Sequence, residues 1–195
     1  MPPLVGPALP DDVLSFPEQP RIVVDDTWML RPWQEDDAAE VMEAFTDPDI
    51  QRWNMHRIDD DEEARGWVRA WNERWHRGTD AAWAVSSAHD GRAAGHIALR
   101  MIRLEHARAE LSWWVRPSAR GMNAASRATR ALARWAFDEV GLQRLFLLHS
   151  VGNAASCRVA EHGGFRLEGT LRNFLQHTDG WHDMHMHARL RDDPD

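Results

Sequence analysis

The chain has 195 residues, of which 43% are hydrophobic and 28% are charged, and this balance is typical of one globular domain with a sizeable core. Its formal net charge of −8 argues against a nucleic-acid-binding protein, because such proteins usually carry a basic excess. The single cysteine excludes an internal disulfide framework and suits a reducing compartment. We find no pattern typical of a signal peptide or a membrane span, so we expect a cytoplasmic protein without a membrane partner.

Residues 1–20 hold six of the ten prolines and show little periodicity. This composition predicts an extended, partly disordered arm in front of a single domain that spans residues 21–195. Residues 21–24 and 27–32 are predicted to form short strands, and the second of them is expected to open the main sheet.

Two helices are predicted next. The acidic residues 35–37 suit a helix start, and this helix is expected to run to about Phe45 and to end at the sequence Thr46-Asp47-Pro48. A second acidic run, residues 59–63, is typical of the first turn of another helix. That helix places four apolar residues along one side, a pattern that favours core packing: Ala64, Trp67, Trp71 and Trp75.

Strands are then predicted for residues 82–87, 92–103 and 109–115. They are followed by an amphipathic helix that ends near Val140 and by an apolar strand at residues 145–150. A strand, a crossover helix and a second strand imply a parallel pair. Beyond them, a short helix and a terminal hairpin are predicted, and the hairpin offers a surface for a homodimer.

The loop between the strand at 109–115 and the long helix has the features of an anion site. The first N–H groups of a helix have no partner within it, and the helix dipole leaves a partial positive charge there. Small residues let a phosphate approach the backbone, and Arg120 adds a positive charge at the rim. The loop indicates pyrophosphate binding, although many Gly-containing turns of this kind hold no ligand.

Two motifs resemble those of the GNAT acetyltransferases. Arg120-Gly121-Met122-Asn123-Ala124-Ala125 resembles the R/Q-x-x-G-x-G/A acetyl-CoA loop, and Asn153-Ala-Ala-Ser156, followed by Glu161-His-Gly-Gly-Phe165, resembles the N-x-x-S…E-x-x-G-F segment. The serine form of the second motif is similar to the bacterial RimJ/RimL-type branch of N-terminal acetyltransferases. The order and spacing match from about Trp28 to the C-terminus.

The resemblance implies an α/β (α+β) fold, in which helices flank a mixed, mostly antiparallel sheet and one parallel pair is splayed around acetyl-CoA. One position departs from the motif, because Asn123 stands where the family has its central glycine. Asparagine is the non-glycine residue that best tolerates a left-handed backbone, so we expect the loop to form.

The resemblance also implies how acetyl-CoA, the expected co-substrate, is held. Backbone N–H groups of the loop would bind the diphosphate, and an N–H at the end of the preceding strand would polarise the thioester carbonyl. The residues expected to contact the cofactor are Trp114, Val115, Arg116, Arg120, Gly121, Met122, Asn123, Ala124, Ala125, Asn153 and Ser156.

The catalytic roles are less constrained by the sequence. Many family members protonate the leaving thiolate with a tyrosine, but this chain contains none, and Ser156 is the alternative. A serine at this point also suits helix capping. Glu110 is the first candidate for the base and His149 the second, while a third possibility is that water alone removes the proton.

The acceptor is expected to be a primary amine, either a protein N-terminus or a small molecule. Because the helices at the start of the domain border the acceptor site in this family, Trp53 and Trp67 are candidates to line its pocket or to stack on a cation. An alternative function is a non-catalytic acyl-CoA-binding or regulatory protein. A dinucleotide-binding fold is disfavoured, since no G-x-G-x-x-G follows an early strand.

Histidines are concentrated near the C-terminus, at positions 177, 182, 185 and 187. Strand alternation puts His185 and His187 on one face, but a third close ligand is not evident, so no metal is predicted. We expect instead an exposed, histidine-rich hairpin that borders the mouth of the acceptor site. Cys157 is expected to be a small buried thiol and not a nucleophile.

Overall fold

The computed structural model of the protein describes residues 4–14, 16 and 18–194. In this part of the chain, eight strands form one sheet in the order β1-β2-β3-β4-β5-β6-β8-β7. The strands are β1 (Ile22–Val23), β2 (Trp28–Pro32), β3 (Ala81–Ser87), β4 (Ala93–Arg103), β5 (Arg108–Val115), β6 (Arg144–Ser150), β7 (Arg166–His177) and β8 (Gly180–Leu190). The helices are α1 (Ala38–Phe45), α2 (Pro48–Asn54), α3 (Asp61–His76), α4 (Ala124–Asp138) and α5 (Ala154–His162).

The β5–β6 pair is parallel, whereas the neighbouring strands elsewhere in the sheet pair antiparallel. Pairing between β5 and β6 runs from Arg108 opposite Arg144 to Glu110 opposite Phe146. Both strands then continue, to Val115 and Ser150, beyond the paired segment. The predicted mixed sheet with one splayed parallel pair is therefore confirmed.

Two hydrophobic cores lie on opposite faces of the sheet because successive strand side chains alternate between faces. One core contains Trp83 and the buried face of α4, including Leu132 and Ala136. The other contains Ala82 and Ala84 together with the buried faces of α1 and α3. Among the described residues, no helix combines the length and apolar character needed to cross a membrane.

Helix α2 differs from the sequence prediction, in which Thr46-Asp47-Pro48 only ends the preceding helix. The structure shows that Asp47 also starts a helix, since its carboxylate accepts a hydrogen bond from the Ile50 N–H at 3.0 Å. Pro48 occupies the first turn, where its missing N–H costs nothing. This helix matters because it carries Trp53 into the site.

The described residues of the N-terminal segment contact the domain. The Leu9 N–H donates to the Leu104 carbonyl at 3.1 Å, and Leu14 is buried. The Phe16 ring lies 6.1 Å from the ring of Trp75 and 5.8 Å from that of Trp135. These contacts cover the edge of the α4-side core.

Candidate active site

A first cavity, of about 450 Å³, lies between the end of β5, the N-terminus of α4 and α5. We call it the cofactor groove. Nine of the eleven residues predicted to contact the cofactor line it: Trp114, Val115, Arg120, Gly121, Asn123, Ala124, Ala125, Asn153 and Ser156. Arg116 and Met122 are not among its lining residues.

The loop that precedes α4 forms with asparagine at the unusual position. Asn123 adopts a left-handed backbone, with φ 56° and ψ 19°, and Gly121 has φ 78°. The first hydrogen bond within the helix is donated by Arg127 to the Asn123 carbonyl. The N–H groups of the three preceding residues therefore have no acceptor in the helix, and all three residues line the groove. This is the backbone geometry that an anion requires.

The positive charge of Arg120 at the rim of the groove is paired with two carboxylates. Its guanidinium lies 2.6 Å from the Asp47 carboxylate and 3.5 Å from that of Asp49, both of which flank the start of α2. Burial opposes ionisation of Asp47, but hydrogen bonds from Arg120 and the Ile50 N–H outweigh it and lower its pKa. The attraction for a diphosphate thus comes mainly from backbone N–H groups, and the exposed Arg158 of α5 adds charge on the opposite wall.

The structure corrects the expectation for Arg116. Its N–H donates to the Ala94 carbonyl at 2.9 Å, and its guanidinium donates to the Ala93 carbonyl and pairs with Glu43. Arg116 therefore faces β4 and not the groove. Because hydrogen-bonding direction alternates along a strand, the main chains of Val115 and Trp113 face the opposite side, towards β6. The Val115 N–H therefore points towards the open side of β5, where β6 is no longer paired with it.

A second cavity, of about 810 Å³, lies between α2, α3, the ends of β5 and β6, and the terminal hairpin. We call it the acceptor chamber. The predicted residues Glu110, His149, Trp53 and Trp67 all line it. The groove and the chamber share part of their walls: Trp53, Asn54, Trp113, Trp114, Asn153 and Ser156. Trp113 is one site residue that the sequence analysis missed.

Glu110 has the properties expected of a base. It lies on β5 opposite Arg100, is partly buried, and lines the chamber. Burial raises its pKa, Arg100 opposes that rise, and the charge of Asp80 adds to it. A carboxylate with a raised pKa holds a proton more readily than an exposed one, so it is better matched to an ammonium group.

Ser156 lies at the point where the two cavities meet. The Ser156 N–H donates to Oδ1 of Asn153 at 3.0 Å, so the predicted capping role of Asn153 is confirmed. This contact leaves the hydroxyl of Ser156 unused, and the residue lines the wall that the two cavities share. Both residues are fixed by the first turn of α5.

His149 is less available than Glu110. Its Nδ1 lies 2.8 Å from the Ser150 carbonyl oxygen, and its Nε2 lies 3.2 Å from Nε2 of His187. Burial lowers the pKa of His149, and the neighbouring His187 and His185 lower it further. The ring is therefore neutral at physiological pH, but both of its nitrogens face other protein groups.

A hydrogen-bonded chain, which no local sequence pattern indicates, leads from the chamber towards the surface. The buried Ser150 hydroxyl lies 2.8 Å from Nδ1 of His182, and Nε2 of His182 lies 2.8 Å from Asp179. Ser150 lines the chamber, whereas the Asp179 side chain is about half exposed. The pairing of β6 with β8 brings Ser150 and His182 together, although they are 32 positions apart.

The apolar stripe of α3 packs in the core, and two of its tryptophans, Trp67 and Trp71, also line the chamber. Ala64, Trp71 and Trp75 are buried, as predicted for core packing. Trp67 is only partly buried, makes an edge contact with Trp33 at 5.1 Å, and lines the chamber. Trp53 also lines the chamber, and the guanidinium of Arg52 lies 4.6 Å from its ring centroid.

One further histidine belongs to this wall. His96 is buried against the tryptophans, and its Nδ1 accepts a hydrogen bond from Trp33 Nε1–H at 3.2 Å. Burial lowers the pKa of His96 to about 3, and the charges of Arg100 and Arg74 act in the same direction. His96 is therefore a neutral part of the aromatic wall and not an acid or base at physiological pH.

The predicted exposure of the histidine-rich hairpin is wrong, because His177 and His187 are buried. The histidines of the hairpin separate into two groups. His177 and His182 stack on each other, with ring centroids 4.2 Å apart, and both lie close to Trp53 at the chamber. His185 and His187 lie instead near His149. Burial raises the pKa of the adjacent Cys157 thiol, and the Glu161 charge raises it further, which agrees with a thiol that is not a nucleophile.

The chain is similar in sequence to known proteins. The family described as "Acetyltransferase (GNAT) domain" matches residues 28–166. The chain is 31% identical over 103 residues to the putative ribosomal N-acetyltransferase YdaF of Bacillus subtilis, which is 53% of this chain and 56% of that protein. It is also 31% identical over 98 residues to the ribosomal-protein-serine acetyltransferase of Escherichia coli, which is 50% of this chain and 55% of that protein. The chain thus spans about half the length of these two relatives.

Similarity to solved structures extends over more of the chain. The structure of RimL, a ribosomal L7/L12 α-N-protein acetyltransferase in complex with coenzyme A, superimposes with a TM-score of 0.79 at 23% identity. The match covers 90% of this chain and 100% of that one. At 23% sequence identity, this structural similarity establishes a shared fold and nothing further.

The fold and the family match define the protein as an acetyltransferase. The chain belongs to the GNAT acetyltransferase family.

Proposed function

We propose that the protein transfers the acetyl group of acetyl-CoA to a primary amine by direct attack of the amine on the thioester. The meeting of the two cavities supports this function most strongly. A ligand in the groove and a ligand in the chamber can approach each other at Ser156, with Trp113 and Trp114 between them. Such a junction suits a reaction between two bound substrates.

The cofactor would bind along the groove. The diphosphate would accept hydrogen bonds from the N–H groups at the start of α4, and the pantetheine chain would lie against the open end of β5. The thioester carbonyl would then accept a hydrogen bond from the Val115 N–H, which stabilises the negative charge that develops on this oxygen.

The chemical step then requires three proton transfers. Glu110, directly or through water, takes a first proton from the ammonium group so that the amine nitrogen can attack the carbonyl carbon. The C–N bond forms, the nitrogen loses its second proton to solvent, the C–S bond breaks, and the Ser156 hydroxyl donates a proton to the departing thiolate. Ser156 regains its proton from solvent. The chain of Ser150, His182 and Asp179 offers a path for the released proton to reach the surface.

For the acceptor, we infer that the protein acts on the N-terminal amine of another protein. Two of the proteins named above are described as acetyltransferases of ribosomal proteins, namely the Escherichia coli relative and RimL. A chamber of about 810 Å³ is large for a small amine and suits the first residues of a peptide. Its aromatic wall would hold apolar parts of the peptide, and Glu110 would attract the terminal ammonium group. A small amine is the second candidate.

The test is a coenzyme A release assay with three sets of acceptors: short peptides with free N-termini, the same peptides with acetylated N-termini, and small aliphatic and aromatic amines. We expect turnover with the free peptides and none with the blocked ones. Turnover restricted to small amines would contradict the acceptor class. Binding of acetyl-CoA without turnover on any amine would instead favour a non-catalytic acyl-CoA-binding protein.

A further inference from the structure

Three histidines and the single cysteine converge between the sheet and α5. His149 lies on β6, His185 and His187 lie on β8, and Cys157 lies on α5. The β6–β8 register sets His149 directly opposite His185. One ligand atom from each of the four residues lies within 4.8 Å of the other three. We call this group the His/Cys cluster.

The hydrogen bonds of two cluster residues determine where their protons lie. Nδ1 of His149 is 2.8 Å from the Ser150 carbonyl oxygen, and Nδ1 of His187 is 3.2 Å from the Phe165 carbonyl oxygen. A carbonyl oxygen only accepts hydrogen bonds, so each Nδ1 must donate. In the neutral rings, each Nε2 then carries a lone pair. These two Nε2 atoms are 3.2 Å apart, a contact that requires either a shared proton or a metal cation between them.

The spacing of the cluster suits a tetrahedral metal ion. Two imidazole nitrogens bound to zinc at ordinary distances are about 3.3 Å apart, close to the separation of the His149 and His187 Nε2 atoms. The Cys157 Sγ lies 4.0 Å from Nε2 of His187. Among the described residues, Nδ1 of His185 is buried without a hydrogen-bond partner.

We propose that the His/Cys cluster binds a divalent transition-metal ion, with zinc as the best match. Three imidazoles and one thiolate are ligands that zinc prefers, whereas magnesium and calcium prefer oxygen. The two backbone carbonyls that hold the Nδ1 protons are the outer contacts usual for metal-bound histidines. On binding, the Cys157 thiol would lose its proton to solvent as the metal–sulfur bond forms. The Glu161 carboxylate, 3.7 Å from this sulfur, adds negative charge that favours the cation.

A bound ion would join α5 to β6 and β8 and would hold the first turn of α5 in place. Ser156 is the neighbour of Cys157 in this turn, so its position in the junction of the two cavities would depend on the metal. The ion would also occupy Nε2 of His149 and remove this residue as a base. The proposal does not depend on the acceptor or on the acetyl transfer itself.

The test uses the full chain purified without a histidine tag and treated with a chelator. Cobalt(II) is titrated as a spectroscopic probe, followed by zinc in competition. We expect one cobalt per chain, a thiolate-to-cobalt charge-transfer band, and the intense visible absorption of a tetrahedral site. Zinc should displace the cobalt and raise the melting temperature. A free zinc concentration one hundred times Kd is expected to stabilise the fold by about 2.7 kcal/mol, which is the hundredfold ratio converted to free energy.

Matched variants separate the cluster from the other histidines of the hairpin. Cys157→Ser should abolish the charge-transfer band, and His185→Gln should weaken cobalt binding at least tenfold. His177→Gln and His182→Gln alter histidines outside the cluster and should leave both signals unchanged. Melting curves without metal show whether each variant folds. The proposal is wrong if the wild-type protein binds no cobalt or zinc at 100-fold molar excess, or if Cys157→Ser and His185→Gln bind them as tightly as the wild type.

Discussion

At the residue scale, the proposed chemistry depends on a carboxyl group whose surroundings disfavour its charge. Burial raises the pKa of Glu110, and Arg100 on the paired strand only partly offsets this effect. The folded protein therefore holds the Glu110 proton more tightly than the unfolded chain does. This contribution to stability is largest below the ordinary carboxyl pKa and is lost as the pH rises through the raised value.

Glu110→Gln is expected to lower kcat by about a hundredfold or more, the usual effect of removing a positioned base. Because the wild-type enzyme needs the carboxylate, its rate should fall as the pH drops through the raised pKa, and this acidic limb should disappear in the variant. At neutral pH the variant should melt at a higher temperature, since no buried charge remains. Rate profiles against pH and melting curves measure both effects.

Glu139→Gln, which alters an exposed glutamate just beyond α4, serves as the control and should change neither property. If Glu110→Gln kept the wild-type kcat together with its acidic limb, Glu110 would not be the base.

The residue that departs from the family motif offers a second test. Asn123 has φ 56°, a conformation that glycine adopts freely and that a β-branched side chain resists at a cost of about 1–2 kcal/mol. Asn123→Gly should therefore bind coenzyme A at least as tightly as the wild type, whereas Asn123→Val should bind it about tenfold more weakly. Calorimetric titration gives both constants. Equal affinity of the valine variant would show that the cofactor does not depend on this turn.

At the scale of elements, α2 connects the cofactor loop to the acceptor chamber. Asp47 caps this helix and also pairs with Arg120 of the loop. Asparagine is as good a cap as aspartate, whereas alanine is not. Asp47→Asn should therefore lose only the ion pair, while Asp47→Ala should lose the cap as well and be less stable by about a further 1 kcal/mol.

Denaturant unfolding of the two Asp47 variants measures this difference directly. The lowered pKa of Asp47 implies stability that is present above the ordinary carboxyl pKa and is lost as the pH falls through the lowered value, and this loss should be absent in Asp47→Asn. Two variants of equal stability would mean that the Asp47 side chain does not support α2.

The helices and strands differ in how well the sequence predicts them. The amphipathic α4, its preceding strand and the parallel β6 have strong periodicity, and the family motifs lie within them, so their arrangement was predictable. The short α2 was missed because Pro48 marks a helix start as well as a helix stop. The His/Cys cluster was missed because the pairing of β6 with β8 joins His149 to residues more than 30 positions away. Such contacts depend on strand register, which local patterns do not determine.

At the scale of the whole molecule, two tryptophans differ in which cavity they line, so we expect them to affect different substrates. Trp67 lines only the acceptor chamber, whereas Trp53 lines the chamber and the cofactor groove. Trp67→Phe should therefore raise KM for the amine several-fold and leave the Kd of coenzyme A unchanged. Trp53→Phe should weaken both. Steady-state kinetics and calorimetry distinguish these outcomes, and a change in coenzyme A affinity caused by Trp67→Phe would contradict this division.

The most direct test of the account is a crystal structure with coenzyme A and an amine-bearing peptide bound together. We predict that the diphosphate lies against the N–H groups of residues 124–126 and that the thiol reaches the junction beside Ser156. The peptide amine should lie in the chamber, within reach of Glu110 directly or through one water. A diphosphate bound elsewhere, or a thiol that points away from this chamber, would contradict the claim that the two cavities form one active site.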